Sequence, residues 1–403
     1  MRVEPWLIRA ARSRPDHPAV NGLTYSQLLQ RARVVAGALP DGPVGIALPP
    51  GEDFAVALHA CLLRGIPAVP VDLRLGESEQ AHVTAGCVVV LDSLPSGEPI
   101  EPRPHDLGAP AIVVHTSGTS GAQKRVELTY GNWLWSALGA HTAMGLGPDE
   151  RWLCALPLSH VGGLSILVRS AIYGTTAIVH GRFDAERVLA DDFSVISVVP
   201  TTLTRLLDAG GRGFRALVGG APIPPALVAR AEGQGVIAQQ TYGLTEACSQ
   251  VTTDGRPLFC TRVRLDDSGE IVVSGPTVAP GSGPELRTGD LGAFDADGTL
   301  AIVGRKADTI VTGGENVAPA EVEAVLEAHP AVAEAAVHGR PDPEWGEAVV
   351  ASVVLREGAN TGADELLGVC RAALAPFKVP KDVRFVSSLP RTPSGKLLRR
   401  HLE

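Results

Sequence analysis

Short, predominantly apolar runs punctuate the chain at Val44 to Leu48, Ile66 to Asp72, Ala111 to Val114, Val195 to Pro200 and Ala216 to Pro222. Runs this brief, with no polar alternation, read as buried strands. Between them the apolar residues recur with helical spacing. Leu23-Thr24-Tyr25-Ser26-Gln27-Leu28-Leu29 opens an amphipathic helix predicted to reach about Leu39, with Thr24 as its N-cap. A second helix is predicted over roughly Phe54 to Arg64, and another begins at Pro224-Pro225. Strands alternating with helices imply an α/β fold with a parallel sheet layered by helices. Past residue 260 the pattern changes. Arg262 to Leu265 and Glu270 to Val273 read as short strands. Pro319 starts a helix with acids in its first turn. Strands over Val332 to His338 and Ala348 to Leu355, and a helix near Asp364 to Ala375, complete a small α+β domain.

Composition bounds the class. A chain of 403 residues predicts two or three domains, and 45% hydrophobic residues is ordinary for a globular protein. The formal charge of −9 offers no electrostatic footprint for nucleic acid, so any phosphate binding must be local. No apolar run nears the ~20 residues that span a bilayer. The opening Met1-Arg2-Val3-Glu4-Pro5-Trp6 lacks the apolar core of a signal peptide. No membrane partner is expected, and the cytoplasm is the expected location; a homo-oligomer is left open. The cysteines, Cys61, Cys87, Cys154, Cys248, Cys260 and Cys370, show no Cys-x-x-Cys pair and no zinc spacing, so buried thiols are expected.

The stretch with the most chemical content follows the apolar run at Ala111. His115-Thr116-Ser117-Gly118-Thr119-Ser120-Gly121-Ala122-Gln123-Lys124 combines hydroxyls, glycines and a lysine with no bulky side chain between them. Glycines let successive N–H groups converge on one anion, hydroxyls donate further bonds, and Lys124 adds charge. This is a phosphate-holding loop. It is not a Walker A loop, because Gln123 precedes Lys124 and Arg125 follows it.

The loop resembles that of the adenylate-forming superfamily of acyl-CoA synthetases, luciferases and peptide-synthetase adenylation domains. Its pattern is Thr-Ser-Gly-Thr-Thr/Ser-Gly-x-Pro-Lys-Gly, from which Gln123 and Arg125 depart. Further stations follow in order across nearly the whole chain. The resemblance implies that Thr116, Ser117, Gly118, Thr119, Ser120 and Gly121 hold phosphate together with Lys124. It sets Gly219-Gly220-Ala221-Pro222 against adenine. In Tyr242-Gly243-Leu244-Thr245-Glu246 it implies that Tyr242 stacks on adenine, Thr245 binds the α-phosphate and Glu246 holds Mg2+. Asp290 would accept both ribose hydroxyls, with Arg305 also at the ribose. Thr312-Gly313-Gly314 would line the pantetheine channel of coenzyme A. His160 would stand beside the reacting carboxylate, and Lys396 would reach the carboxylate and the α-phosphate. The implied division is a large ATP- and acyl-binding domain over 1–304 and a small mobile domain over 305–403. The hinge would lie near 304–308, where Ala307 replaces the usual Asp or Lys. The stretch of about 40 residues between Glu246 and Arg287 is short for the superfamily, so the small β-subdomain is expected to be trimmed.

The implied reaction joins a small-molecule carboxylic acid to coenzyme A at the expense of ATP, through an acyl-adenylate. Tyr130 to Ala137, Trp152 to Pro157 and His160 to Gly174 are similar to one branch of the superfamily. Its members make the coenzyme A thioester of a succinyl-substituted benzoate on the route to menaquinone. Such an acid has a second carboxylate, for which Ser165, Arg169 and Thr241 are the candidate contacts. Another aryl or short acyl acid, a carrier-protein adenylation domain and a non-catalytic nucleotide-binding protein are the readings left open.

Overall fold

The computed structural model describes residues 1–117, 123–391 and 397–402, with the side chains of all of these except Ser117, Gln123 and Arg400. The chain forms two compact units. One comprises Met1–Val263 and Val273–Leu286, the other Arg264–Val272 and Arg287–Glu403.

The first unit is built on two sheets. The smaller orders its strands Val89–Leu91, Val44–Ile46, Ala68–Pro70, Pro110–Ser117 and Gln123–Thr129. The first four are parallel, and the last folds back antiparallel on Pro110–Ser117. The larger has a parallel centre of Ile237–Leu244, Arg215–Val218, Val195–Val198, Arg151–Cys154, Thr176–Val179 and Pro18–Val20. Antiparallel strands close both edges, with Ser249–Thr253 beside Ile237–Leu244 at one of them. The apolar runs of the sequence therefore lie at strands covered on both faces, as parallel sheets require.

The helices show where periodicity works and where it fails. Tyr25–Ala38 is amphipathic, and Thr24 and Gln27 form a reciprocal capping box at its start. Helix Glu52–Arg64 is buried at every position from Phe54 to Leu63. Helix Tyr130–Met144 and helix Val161–Tyr173 are so evenly apolar that no polar face marks them. For Val161–Tyr173 the structure corrects the sequence reading. The apolar stretch before His160 and the glycines after it read from sequence as a strand ending at His160 and a Gly-Gly turn; His160 is instead the N-cap of this helix, and Gly162 and Gly163 form its first turn. A Cβ on Gly163 would lie 2.4 Å from Pro157 O, so that glycine serves close packing rather than a reversal.

A four-stranded sheet, most of it in the second unit, orders Arg262–Leu265, Glu270–Ser274, Glu285–Phe294 and Leu300–Arg305. A five-stranded sheet follows, with Glu315–Val317, Ile310–Thr312, Gly346–Leu355 and Val332–Asp342 in order and Asp382–Phe385 beside Gly346–Leu355. Helices Pro319–Glu327 and Ala363–Ala373 contribute Val322, Leu326, Leu366 and Cys370 to a core shared with Val332, Val337, Val349 and Val353. Cys61, Cys154, Cys248 and Cys370 are buried free thiols, while Cys87 and Cys260 are half-buried. Among the described residues no helix is long and apolar enough to cross a membrane.

Candidate active site

Strands Pro110–Ser117 and Gln123–Thr129 form a hairpin in which Thr116 faces Lys124 and Ser117 faces Gln123. The residues joining them, among them the phosphate contacts expected of Gly118, Thr119, Ser120 and Gly121, lie outside the described residues. Lys124 is a strand residue, which fixes the direction of its stem. Its Nζ pairs with Glu246 Oε1 at 2.9 Å, joining two stations 122 positions apart.

Glu246 sits in a single 3-10 turn, Thr245–Ala247, between strands Ile237–Leu244 and Ser249–Thr253. Glycine is required at 243, where a Cβ would lie 1.7 Å from Ser249 O. The exit from the turn is strained. Cys248 has φ +54° and Ser249 φ +90°, a region L-residues avoid at about 1–3 kcal/mol each. Two carbonyls of this turn are held from outside it. Glu246 O accepts the Ala279 N–H at 2.7 Å, and Cys248 O accepts the Ser136 hydroxyl at 2.6 Å.

Gly219 follows strand Arg215–Val218 and lies against Thr241, with room for no Cβ: the ideal position is 2.6 Å from Thr241 Cγ2. Gly220, Ala221 and Pro222 are exposed beyond it, and Gly220 has φ +81°. Val218 is in register with Gln240 on the neighbouring strand. The structure thus brings the Gly219–Pro222 loop and the half-buried Tyr242, Thr245 and Glu246 to the carboxyl ends of parallel strands, where open α/β sheets bind ligands.

His160 is pulled below the ordinary histidine value by burial, with Asp72 opposing, so its ring is neutral at pH 7. Asp72 accepts the Ser159 hydroxyl at 3.1 Å and pairs with Arg74, whose guanidinium holds the carboxyl well below the usual carboxylate range. In helix Val161–Tyr173, the Ser165 hydroxyl donates to Gly162 O at 2.9 Å; the Thr241 hydroxyl likewise donates to Thr252 O at 3.0 Å. Arg169 differs from both. It is 1% exposed, its Nη2 donates to Ser136 Oγ at 3.2 Å, and its guanidinium lies 5.7 Å from the Trp152 ring centroid. Its Nε and Nη1 have no partner, and among the described residues no carboxylate pairs with it. A guanidinium buried in this way is a strong demand for an anion.

Within the second unit, Asp290 is buried and its Oδ1 accepts Arg305 Nε at 2.8 Å across adjacent antiparallel strands. Gly313 and Gly314 make the tight turn between Ile310–Thr312 and Glu315–Val317, with φ +58° and +84°. The Gly313 N–H donates to Trp345 O at 2.8 Å. Lys396 lies outside the described residues.

Ser136, Asp72 and the strained Cys248-Ser249 pair were not found from sequence, because nothing in their local spacing marks them. Among the described residues no cluster of three or more His, Cys, Asp or Glu could cage a metal. Mg2+ that arrives with a nucleotide keeps waters and phosphate oxygens and takes only one or two carboxylates. Glu246, at the strand ends beside Lys124, fits that demand.

Residues 7–92 and 88–282 match the AMP-binding enzyme family, and 321–396 match the AMP-binding enzyme C-terminal domain. A 2-succinylbenzoate–CoA ligase of Bacillus licheniformis is 34% identical over 473 aligned positions, covering 98% of each chain. That span exceeds the 403 residues here, so the relative carries segments this chain lacks. The o-succinylbenzoate CoA synthetase of Bacillus subtilis with its acyl-adenylate intermediate superposes with a TM-score of 0.90 at 32% identity, over 100% of this chain and 98% of that one. The same synthetase with ATP and magnesium ion gives 0.90 and 32%, over 100% of both. With matches that run through most of its length, the chain belongs to the AMP-binding enzyme family.

Proposed function

We propose that the protein is an ATP-dependent acid–CoA ligase working through an acyl-adenylate, with 2-succinylbenzoate as its acid, on the route to menaquinone. The observation that carries the choice of acid is Arg169, a buried cation with two donors to spare in the segment most similar to that branch of the family. A dicarboxylic acid supplies the missing anion; a monocarboxylic acid does not. The relatives named above point the same way.

A carboxylate is a poor electrophile and needs activation. Its oxygen attacks the α-phosphorus in line, and the displaced bond's electrons leave with pyrophosphate. Coenzyme A then attacks the acyl carbonyl carbon as thiolate; the bond from that carbon to the phosphate oxygen breaks and AMP departs. Lys124 and Lys396 offset the repulsion between acid and triphosphate, and the Thr245 hydroxyl donates to the α-phosphate. Glu246 would hold Mg2+, which when bound neutralises phosphate charge. Neutral His160 borders the reacting carboxylate, Tyr242 and the Gly219–Pro222 loop flank adenine, and Asp290 with Arg305 takes the ribose. Gly313 and Gly314 line the thiol's path. The domain over 305–403 turns about the hinge at 304–308, so that Lys396 serves the first step and the glycine turn the second. A reaction that draws on ATP and coenzyme A is consistent with a cytoplasmic protein.

The test is a panel of acids assayed for thioester formation. 2-Succinylbenzoate should exceed benzoate, coumarate and fatty acids in kcat/KM. Arg169→Gln should cut its kcat/KM about tenfold to a hundredfold while affecting benzoate much less. Equal use of monocarboxylic acids by the unmodified protein would replace this reading with a general aryl or acyl ligase.

A further inference from the structure

We infer that Ser136 is a positioning residue that couples recognition of the acid to the nucleotide turn. This rests on the reading of Arg169 given above. Ser136 lies in helix Tyr130–Met144 with 0% exposure. Its hydroxyl is shared between two partners far apart in sequence: Arg169, 33 positions away, and the Cys248 carbonyl, 112 positions away. The direction of both bonds is fixed by chemistry. A guanidinium has only donors and a carbonyl only acceptors, so Arg169 donates to Ser136 and Ser136 donates to Cys248.

The two ends of this relay differ from ordinary core contacts. At one end Arg169 keeps two unpartnered donors in the core. At the other, Cys248 and Ser249 hold positive φ in the segment that leaves Thr245 and Glu246. Strained backbone persists only where its surroundings over-determine it, and the Ser136 hydroxyl grips the strained residue itself. An anion on either free donor, Nε or Nη1, fixes the guanidinium plane, and with it the Nη2 donor to Ser136. A hydroxyl that accepts a stronger bond donates a stronger one. The acid and the nucleotide therefore favour the same arrangement, and their binding is reciprocal: each raises affinity for the other by the same factor.

The experiment uses the full chain and a non-reacting pair of ligands. Calorimetry measures the Kd of Mg2+ with α,β-methylene-ATP, with and without saturating 2-succinylbenzoate, and the Kd of the acid alone. In the unmodified protein the acid should tighten the analogue about fivefold or more. In Ser136→Ala that factor should fall to about one, with the acid's own Kd within about threefold of the original. Ser136→Cys provides a second variant, should Ser136→Ala fail to fold. It keeps the shape of the side chain but replaces the hydroxyl with a weak donor and acceptor, so it should bind acid and lose most of the coupling. No coupling in the unmodified protein, or full coupling in Ser136→Ala, overturns the relay. Failure of the unmodified protein to bind the acid at all overturns the substrate reading, and this inference with it.

Discussion

Glu246 and Lys124 form an ion pair whose lysine is 60% exposed, so the contact itself adds little to stability. On the function proposed above, it holds a cation and a carboxylate at one strand end until phosphates claim the cation. Glu246→Gln should accordingly raise the Mg2+ concentration needed for half-maximal adenylate formation and leave Tm nearly unchanged. A Mg2+ titration of pyrophosphate release, paired with thermal unfolding, checks both halves; an unshifted titration at full activity would remove Glu246 from the metal. The sequence named both residues through their motifs. From sequence Arg169 is only one of three candidate contacts, and what sets it apart, two buried donors without partners, is a property of its surroundings.

Elements repeat the lesson with helices. Glu52–Arg64 was read almost in place, because its acids and Gly65 mark the ends. Val161–Tyr173 was missed, because a helix buried all round has no polar stripe to reveal its period. Such helices carry polar groups into the core. Burial pulls His59 down to about 4, and burial, with neighbouring His59 adding to it, pulls His105 in strand His105–Asp106 down to about 3. Both rings are neutral when folded, whereas unfolded histidines take protons near pH 6.5. Their contribution is thus complete above pH 6.5 and is lost as pH falls from there toward 4. The slope is at most about 1.4 kcal/mol per pH unit for each ring. Urea unfolding at pH 7.5, 6 and 5 should show this loss, and His59→Gln should flatten it. An unaltered slope in that variant would assign the acid sensitivity elsewhere.

At the scale of the whole molecule, the proposed function divides its chemistry along the chain. The first unit carries Lys124, His160, Arg169 and Glu246; the second carries Asp290, Arg305, the glycine turn at 313–314 and Lys396. Two half-reactions that draw on different residues should separate under mutation. Lys396→Ala should abolish adenylate formation from ATP and acid, yet leave a supplied acyl-adenylate able to react with coenzyme A at close to the original rate. Equal loss of both halves would deny Lys396 its place in the first step alone.

The sequence by itself determined what a few neighbouring residues can encode. Predominantly apolar runs specified buried strands, the Thr24–Gln27 box a helix start, and a glycine-hydroxyl loop with its companion stations an adenylate-forming chemistry. Tertiary structure alone decided which distant groups meet. Strand order brings the Gly219 loop beside Thr241, and packing of Tyr130–Met144 sets Ser136 between Arg169 and Cys248. The physical reason is range. Periodicity and turn chemistry act within one or two turns of the chain, whereas a buried cation's missing partner and a strained turn's support depend on contacts from over thirty to over a hundred positions away.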